Sequence, residues 1–271
     1  MRLRRIVVVA TLVLAFAFGV WAQSKSVNVV GSTTVFPIAQ ACAEKFMDVK
    51  KDVNVSVKGG GSGVGIAALI DGTCDIAMSS RAMKKEEIEK AKARGVNPVE
   101  HMIARDGLAI VVHPSNPVKA LTVAQVRDIY SGKINNWKEV GGKDVKIVVV
   151  SRDTASGTYG SFHELVLKDE KLRGDALLLA SNKAVAEAVA QTEGAIGYIG
   201  LGYVTDKVKA LEIEGVKPTM ETVVNGTYKL SRPLFLYTNG EPKGAVKDFI
   251  DFILSPQGQK IVKDEGFVPV K

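Results

Sequence analysis

Four short stretches gather hydroxyls, glycines and arginines with little side-chain bulk: GSTTV (31–35), GGGSGVG (59–65), AMSSR (77–81) and SRDTASGT (151–158). Their chemistry is that of anion capture. The first amides of a helix have no intrahelical partner, and the helix dipole places partial positive charge at that end. Hydroxyls of Thr33, Thr34, Ser62, Ser156 and Thr158 add donors, while Gly61, Gly63 and Gly157 let backbone approach a ligand. Arg81 and Arg152 offer planar, permanently charged forks suited to tetrahedral oxyanions. Any one of these turns is explained by ordinary capping and turn formation. All four at the carboxyl ends of predicted strands, where open α/β sheets bind ligands, point to a shared site.

The surrounding pattern supplies those strands. VNVVG, VNVSVKG and DIAMSS read as strands and alternate with helical runs over 33–49, 64–72 and 84–95. PVEHMIA and GLAIVVHP add two strands before Pro114 and Pro117 break the chain, and a second α/β unit follows, with strands at VKIVVV, ALLLAS, AIGYIG and KALEIEG. NGTYKLSRPLFLYT contributes another apolar strand, and two amphipathic helices end the sequence.

The first 22 residues carry Arg2, Arg4 and Arg5, then an apolar run from Ile6 to Val20, then small residues, the layout of a cleaved secretory signal. The run is too short to span a bilayer, which takes about 20 residues. Removing residues 1–22 changes the net charge from +7 to +4, with 33 basic and 29 acidic residues remaining and no basic cluster, so nucleic-acid binding has no support. Cys42 and Cys74 lie in the exported part, where they either form one disulfide or serve as two small buried hydrophobes. His101, His113 and His163 lack metal-ligand spacing to either cysteine, and neither a metal nor a cofactor is expected.

Enzyme motifs fail on inspection. GGGSGVG has no following Lys-Ser or Lys-Thr, so it is no P-loop, and no register satisfies G-x-G-x-x-G. Ser62 resembles a nucleophile elbow, but Val64 stands where that turn needs glycine, leaving an exported serine hydrolase based on His113 or His163 as the lesser alternative.

Over essentially the whole mature chain the sequence resembles the secreted phosphate-binding component of bacterial phosphate ABC importers. The resemblance is carried by GSTTVFPIA, GGGSGVG, DIAMSSR, LTVAQVRDIYSGKINNW, SRDTASGTYGSF, EGAIGYIGLGYV, ETVVNGTYKLSRPLFLYT and SPQGQKIVKDEGFVPV. It implies an α/β, two-lobed (Venus-flytrap) periplasmic binding protein with two crossing strands and an anion held between the lobes. Residues 23–112 plus 232–271 would form one lobe and 113–231 the other. Carried over by motif, Thr33, Thr34, Ser62, Ser80 and Arg81 would bind phosphate from the first lobe, and Arg152, Ser156, Gly157 and Thr158 from the second. The implied partners are inorganic phosphate and membrane ABC permease subunits, for a monomeric, periplasmic, non-catalytic receptor. One departure stands out: some members have an aspartate in the AMSSR turn, where it accepts the proton of phosphate and repels sulfate. Here Ser79, Ser80 and Arg81 stand there, so a receptor for another oxyanion such as sulfate remains an alternative. Arg81 either binds the anion or pairs with an acid, and Asp153 either replaces the missing acceptor or orients Arg152.

Overall fold

A computed structural model of the chain describes residues 25–270. The proposed signal segment lies outside the described residues. Strand β1 (Lys25–Gly31), helix α1 (Phe36–Val49), β2 (Val53–Gly59), α2 (Ser62–Ile70), β3 (Ile76–Ser79) and α3 (Lys85–Ala93) alternate up to the long strand β4 (Pro98–Val112). The middle of the chain forms β5 (Ala120–Leu121), α4 (Val123–Ser131), β6 (Val148–Arg152), α5 (Gly157–Phe162), β7 (Leu177–Leu179), α6 (Asn182–Gln191), β8 (Ala195–Gly200), β9 (Lys209–Ala210), β10 (Glu212–Ile213) and α7 (Met220–Val224). The chain then returns through β11 (Ser231–Asn239) to α8 (Gly244–Leu254), α9 (Pro256–Asp264) and β12 (Val268–Pro269).

The main sheet runs β2-β1-β3-β11-β4-β8-β6-β7. Its outer pairs are parallel, whereas β11 and β4 run antiparallel to each other and to their neighbours β3 and β8. This is a two-lobed α/β architecture in which β4 and β11 pass between the lobes. Residues Pro98–Gly107 of β4 pair with β11, while Leu108–Val112 pair with β8. The core divides accordingly. Ile103 and Ala104 pack with Val27, Ile38, Phe46, Leu234 and Phe249, whereas Leu108, Ile110 and Val112 pack with Tyr130, Trp137, Phe162 and Tyr198.

Sequence patterns explain these elements. Helix α1 buries Ile38, Ala39, Cys42, Ala43 and Phe46, a stripe at helical spacing, with Pro37 in its first turn where a missing amide costs nothing. Each large side chain so buried contributes about 1.5–3 kcal/mol. Helix α2 lies close on β1 because Gly65 has no side chain: a Cβ there would meet the Val30 carbonyl oxygen at 2.4 Å. Two predictions differ from the structure. PVEHMIA and GLAIVVHP are one strand, since the polar Arg105-Asp106-Gly107 between them stays extended in the ladder with β11. KALEIEG forms two two-residue strands that pair with β4 and β5. Cys42 and Cys74 are free thiols in separate clusters, not a disulfide, and burial pushes both up to about 12.

Candidate functional site

Every one of the four hydroxyl-rich turns follows the end of a strand, and together they face one another across the cleft. Thr33 and Thr34 lie between β1 and α1, Ser62 opens α2, Ser80 and Arg81 follow β3, and Arg152 ends β6 with Ser156–Thr158 leading into α5. Thr34, Ser62, Ser80, Arg152, Ser156 and Thr158 are all buried. Ser156 caps α5 by accepting from the Tyr159 amide at 3.2 Å.

Contacts cross directly from lobe to lobe. Thr34 Oγ1 lies 2.9 Å from Thr158 Oγ1, and Arg152 Nη2 donates to Thr33 Oγ1 at 3.3 Å. The Gly63 amide donates to the Ala155 carbonyl at 2.9 Å, Ser161 Oγ to the Ser80 carbonyl at 3.1 Å, and the Tyr203 hydroxyl to the Thr33 carbonyl at 2.5 Å. Gly157 permits this approach, because a Cβ there would sit 2.1 Å from Ser62 Oγ and 2.7 Å from Ser80 Oγ. On the first-lobe side, Ser62 Oγ accepts from the Ser80 amide at 3.0 Å and so fixes the turn after β3 against the start of α2.

Charge is concentrated here. Among the described residues, the Asp, Glu, Lys and Arg side chains that are buried are Asp106, Arg152 and Arg232, and Thr33 and Thr34 connect both arginines. Arg152 is anchored by Nε on the Leu179 carbonyl and Nη2 on the Ala180 carbonyl, both at 2.8 Å. Arg232 pairs with Asp106 and reaches Thr34 Oγ1 with Nη2 at 3.3 Å. The Nη1 atoms of Arg152 and Arg232 are buried with no protein partner. A buried guanidinium nitrogen without an acceptor is costly, and of the three such atoms among the described residues, with Arg173 Nη1 the third, two belong to the arginines whose Nη2 atoms reach Thr33 and Thr34. Burial pushes the Arg152 guanidinium down and nearby Arg232 acts the same way, against Tyr198, Tyr203 and Asp153, a balance that an anion would tip toward the charged form.

Two sequence-level candidates stand differently. Arg81 turns its guanidinium to Glu87, with Nη1 and Nη2 at 2.8 and 2.6 Å from the two carboxylate oxygens, so the acid-pairing alternative is the one observed. Asp153 uses Oδ1 to accept the Ala155 and Ser156 amides at 2.9 and 3.1 Å, closing its own turn. Ser62 finds its partners in Ser80, whereas His113 Nδ1 lies 2.7 Å from Ser115 Oγ, and His163 packs beside the Tyr159 ring.

Sequence reasoning missed Arg232, Asp106, Asn182 and Tyr203. Asn182, the first residue of α6, donates Nδ2 to Thr34 Oγ1 at 2.9 Å and to Thr33 Oγ1 at 3.3 Å, while its Oδ1 accepts the Gly200 amide at 3.2 Å. A signal existed for the ion pair: the charges Arg105 and Asp106 in the apolar run IARDGLAIVV and Arg232 in SRPLFLY cannot be buried alone.

Comparison with known proteins places this geometry among relatives. A model of the PBP superfamily domain matches residues 20–257. The phosphate-binding protein PstS of Bacillus subtilis is 39% identical over 249 residues, 91% of this chain and 81% of its own length. PstS of Borreliella burgdorferi is 35% identical over 261 residues, 92% and 91% of the two chains. Among solved structures, a putative phosphate ABC transporter substrate-binding protein with bound phosphate from Clostridium perfringens superposes with a TM-score of 0.86 at 44% identity, covering 91% of this chain and all of the other.

Proposed function

Since the chain belongs to the PBP superfamily and, within it, to the family of the PstS phosphate-binding proteins, we propose that it is a receptor that closes two lobes on inorganic phosphate and delivers it to a membrane ABC permease. The observation that carries this reading is the pair of partnerless, buried Nη1 atoms of Arg152 and Arg232 beside the Thr33 and Thr34 hydroxyls. A buried tetrahedral anion must replace its lost hydration with fixed donors, and this cluster offers two guanidinium forks among hydroxyls and helix-end amides.

The binding set we assign is Thr33, Thr34, Ser62, Ser80, Arg152, Ser156, Gly157 and Thr158, joined by Arg232, with Asn182 orienting the two threonines. Arg81 is left out because Glu87 engages it. We place the lobe crossing of β4 at Asp106 rather than near residue 112, since Leu108–Val112 pack into the second core, and keep the return crossing at the start of β11. One lobe then comprises residues 25–106 and 231–270, the other 108–230. Closure around the anion assembles donors from both lobes, and the closed shape is what a permease can recognise. No covalent step is involved, and the receptor works as an exported monomer.

Transport is tested by deleting the gene and measuring uptake of labelled phosphate at limiting concentration. Loss of high-affinity uptake, restored by the intact gene, is expected. Unchanged uptake, or turnover of a chromogenic ester that disappears in Ser62→Ala, would contradict the reading.

A further inference from the structure

Helix α1 begins beside a carbonyl that its own chain cannot satisfy. The Ser32 carbonyl accepts the Phe36 amide and the Val35 carbonyl the Ala39 amide, both at 3.0 Å, so the chain is already wound with four-residue spacing from Ser32 onward. By that spacing the Thr33 carbonyl belongs to residue 37, which is Pro37 and has no amide to give. Its donor among the described residues comes from the other lobe instead, the Tyr203 hydroxyl at 2.5 Å.

The turn that carries Tyr203, Leu201–Tyr203, is fastened at three points. The Leu201 amide donates to Asp106 Oδ1 at 2.8 Å, which fixes the start of the turn on the crossing strand β4. Gly202 lies against the end of the first lobe, where a Cβ on it would collide with the Glu265 carbonyl oxygen and, at 2.5 Å, with Phe267 Cε2. The half-buried Tyr203 ring packs both on the core that holds Ile103 and Phe267 and on the core that holds Ala109 and Val185. Leu201 moves with the pivot, whereas the Tyr203 hydroxyl reaches across to Thr33. Opening of the lobes therefore separates it from a carbonyl that it can hold only within about 3.5 Å.

The same bond removes Tyr203 from the set of anion ligands. A phenol has one proton to donate, and this one is given to Thr33. Thr33 is thus gripped twice from the second lobe. Arg152 and Asn182, members of the anion site, hold its hydroxyl at 3.3 Å, and Tyr203, which is not a member, holds its carbonyl. We propose that Tyr203 is a positioning residue, a latch that fastens Thr33 and the start of α1 to the second lobe in the closed molecule and so slows release of the bound anion without touching it. This inference rests on the phosphate reading above and extends it from the residues that hold the anion to one that holds the cleft shut.

Tyr203→Phe removes the hydroxyl and keeps the ring, so packing on both cores survives. Affinity from calorimetric titration with phosphate, and release of labelled phosphate after a chase with unlabelled phosphate, together separate the two rate constants. Release should become about tenfold faster and affinity weaker by the same factor, with association changed by less than about threefold. Urea unfolding of the anion-free native and variant proteins should give matching midpoints, since the open molecule does not make the bond. Unchanged release, or a stability loss in the anion-free variant that matches the lost binding, overturns the latch. Sulfate run in parallel keeps the two readings apart. A native protein that binds sulfate and not phosphate overturns the phosphate reading, and the effect of Tyr203→Phe on sulfate release then decides the latch on the same terms; binding of neither anion overturns both.

Discussion

Arg232 donates both Nε and Nη2 to one oxygen of Asp106, at 3.0 and 2.8 Å, and the two residues stand directly opposite each other on the crossing strands. The pair ties β4 to β11 where the chain passes between lobes, and it sets the guanidinium that reaches Thr34. Removing one partner leaves the other charge buried and uncompensated. Asp106→Ala should lower stability by about 3–5 kcal/mol, whereas replacing both residues by apolar ones of similar volume should cost far less. Urea unfolding of the two variants distinguishes a structural ion pair from an incidental one.

Much of this architecture is legible in the sequence, for reasons particular residues make plain. VNVVG and VNVSVKG alternate as half-buried strands must, and the stripe from Ile38 to Phe46 has helical spacing, so β1, β2 and α1 are found where expected. The glycine-hydroxyl turns are equally visible, because loop composition is local. What escaped notice is nonlocal. Asp106 and Arg232 are 126 residues apart, and each looks like a strand interruption until the other is placed beside it. Asn182 reads as a helix start and Tyr203 as one more apolar residue, since their partners Thr33 and Thr34 come from the other lobe. Arg81 shows the converse: its position in a ligand-like turn was legible, but its pairing with Glu87 depends on how α3 returns along the turn.

Gly157 has a steric rather than conformational purpose. A methyl group there would collide with Ser62 Oγ and Ser80 Oγ at 2.1 and 2.7 Å, and those oxygens belong to the opposing lobe. Gly157→Ala should keep each lobe folded, with native far-ultraviolet dichroism, yet lose anion affinity by about 100-fold or more because closure is obstructed. Binding measured beside small-angle scattering, which should report a more open molecule in the presence of phosphate, checks both halves of the expectation.

Arg152 is held by two carbonyls that fix its plane, so a lysine cannot replace it. Arg152→Lys preserves charge but not the fork, and should weaken phosphate by about 30-fold or more. Equal affinity in the lysine variant would mean that Arg152 supplies only a diffuse positive potential.

Burial alone would raise the Glu87 carboxyl, but the Arg81 fork and the Lys84 amide outweigh it and hold the group below its usual 4.5. A carboxyl depressed in the folded state stabilises the protein above the unfolded pKa, and that contribution is lost as pH falls through the folded value. Glu87→Gln should therefore cost about 1 kcal/mol near neutral pH, discounted for its partial exposure, and progressively less as the pH falls from the usual 4.5 through the lower folded value. Unfolding midpoints of both proteins across that range give the difference directly.

The central proposal is that Arg152 and Arg232 together bind a tetrahedral anion, inorganic phosphate. Calorimetric titration of the purified protein, freed of bound anion by partial unfolding and refolding, with phosphate and then sulfate is the most direct measurement. One phosphate per chain should bind with a strong preference over sulfate. A stronger affinity for sulfate, or no saturable heat with phosphate, would contradict it.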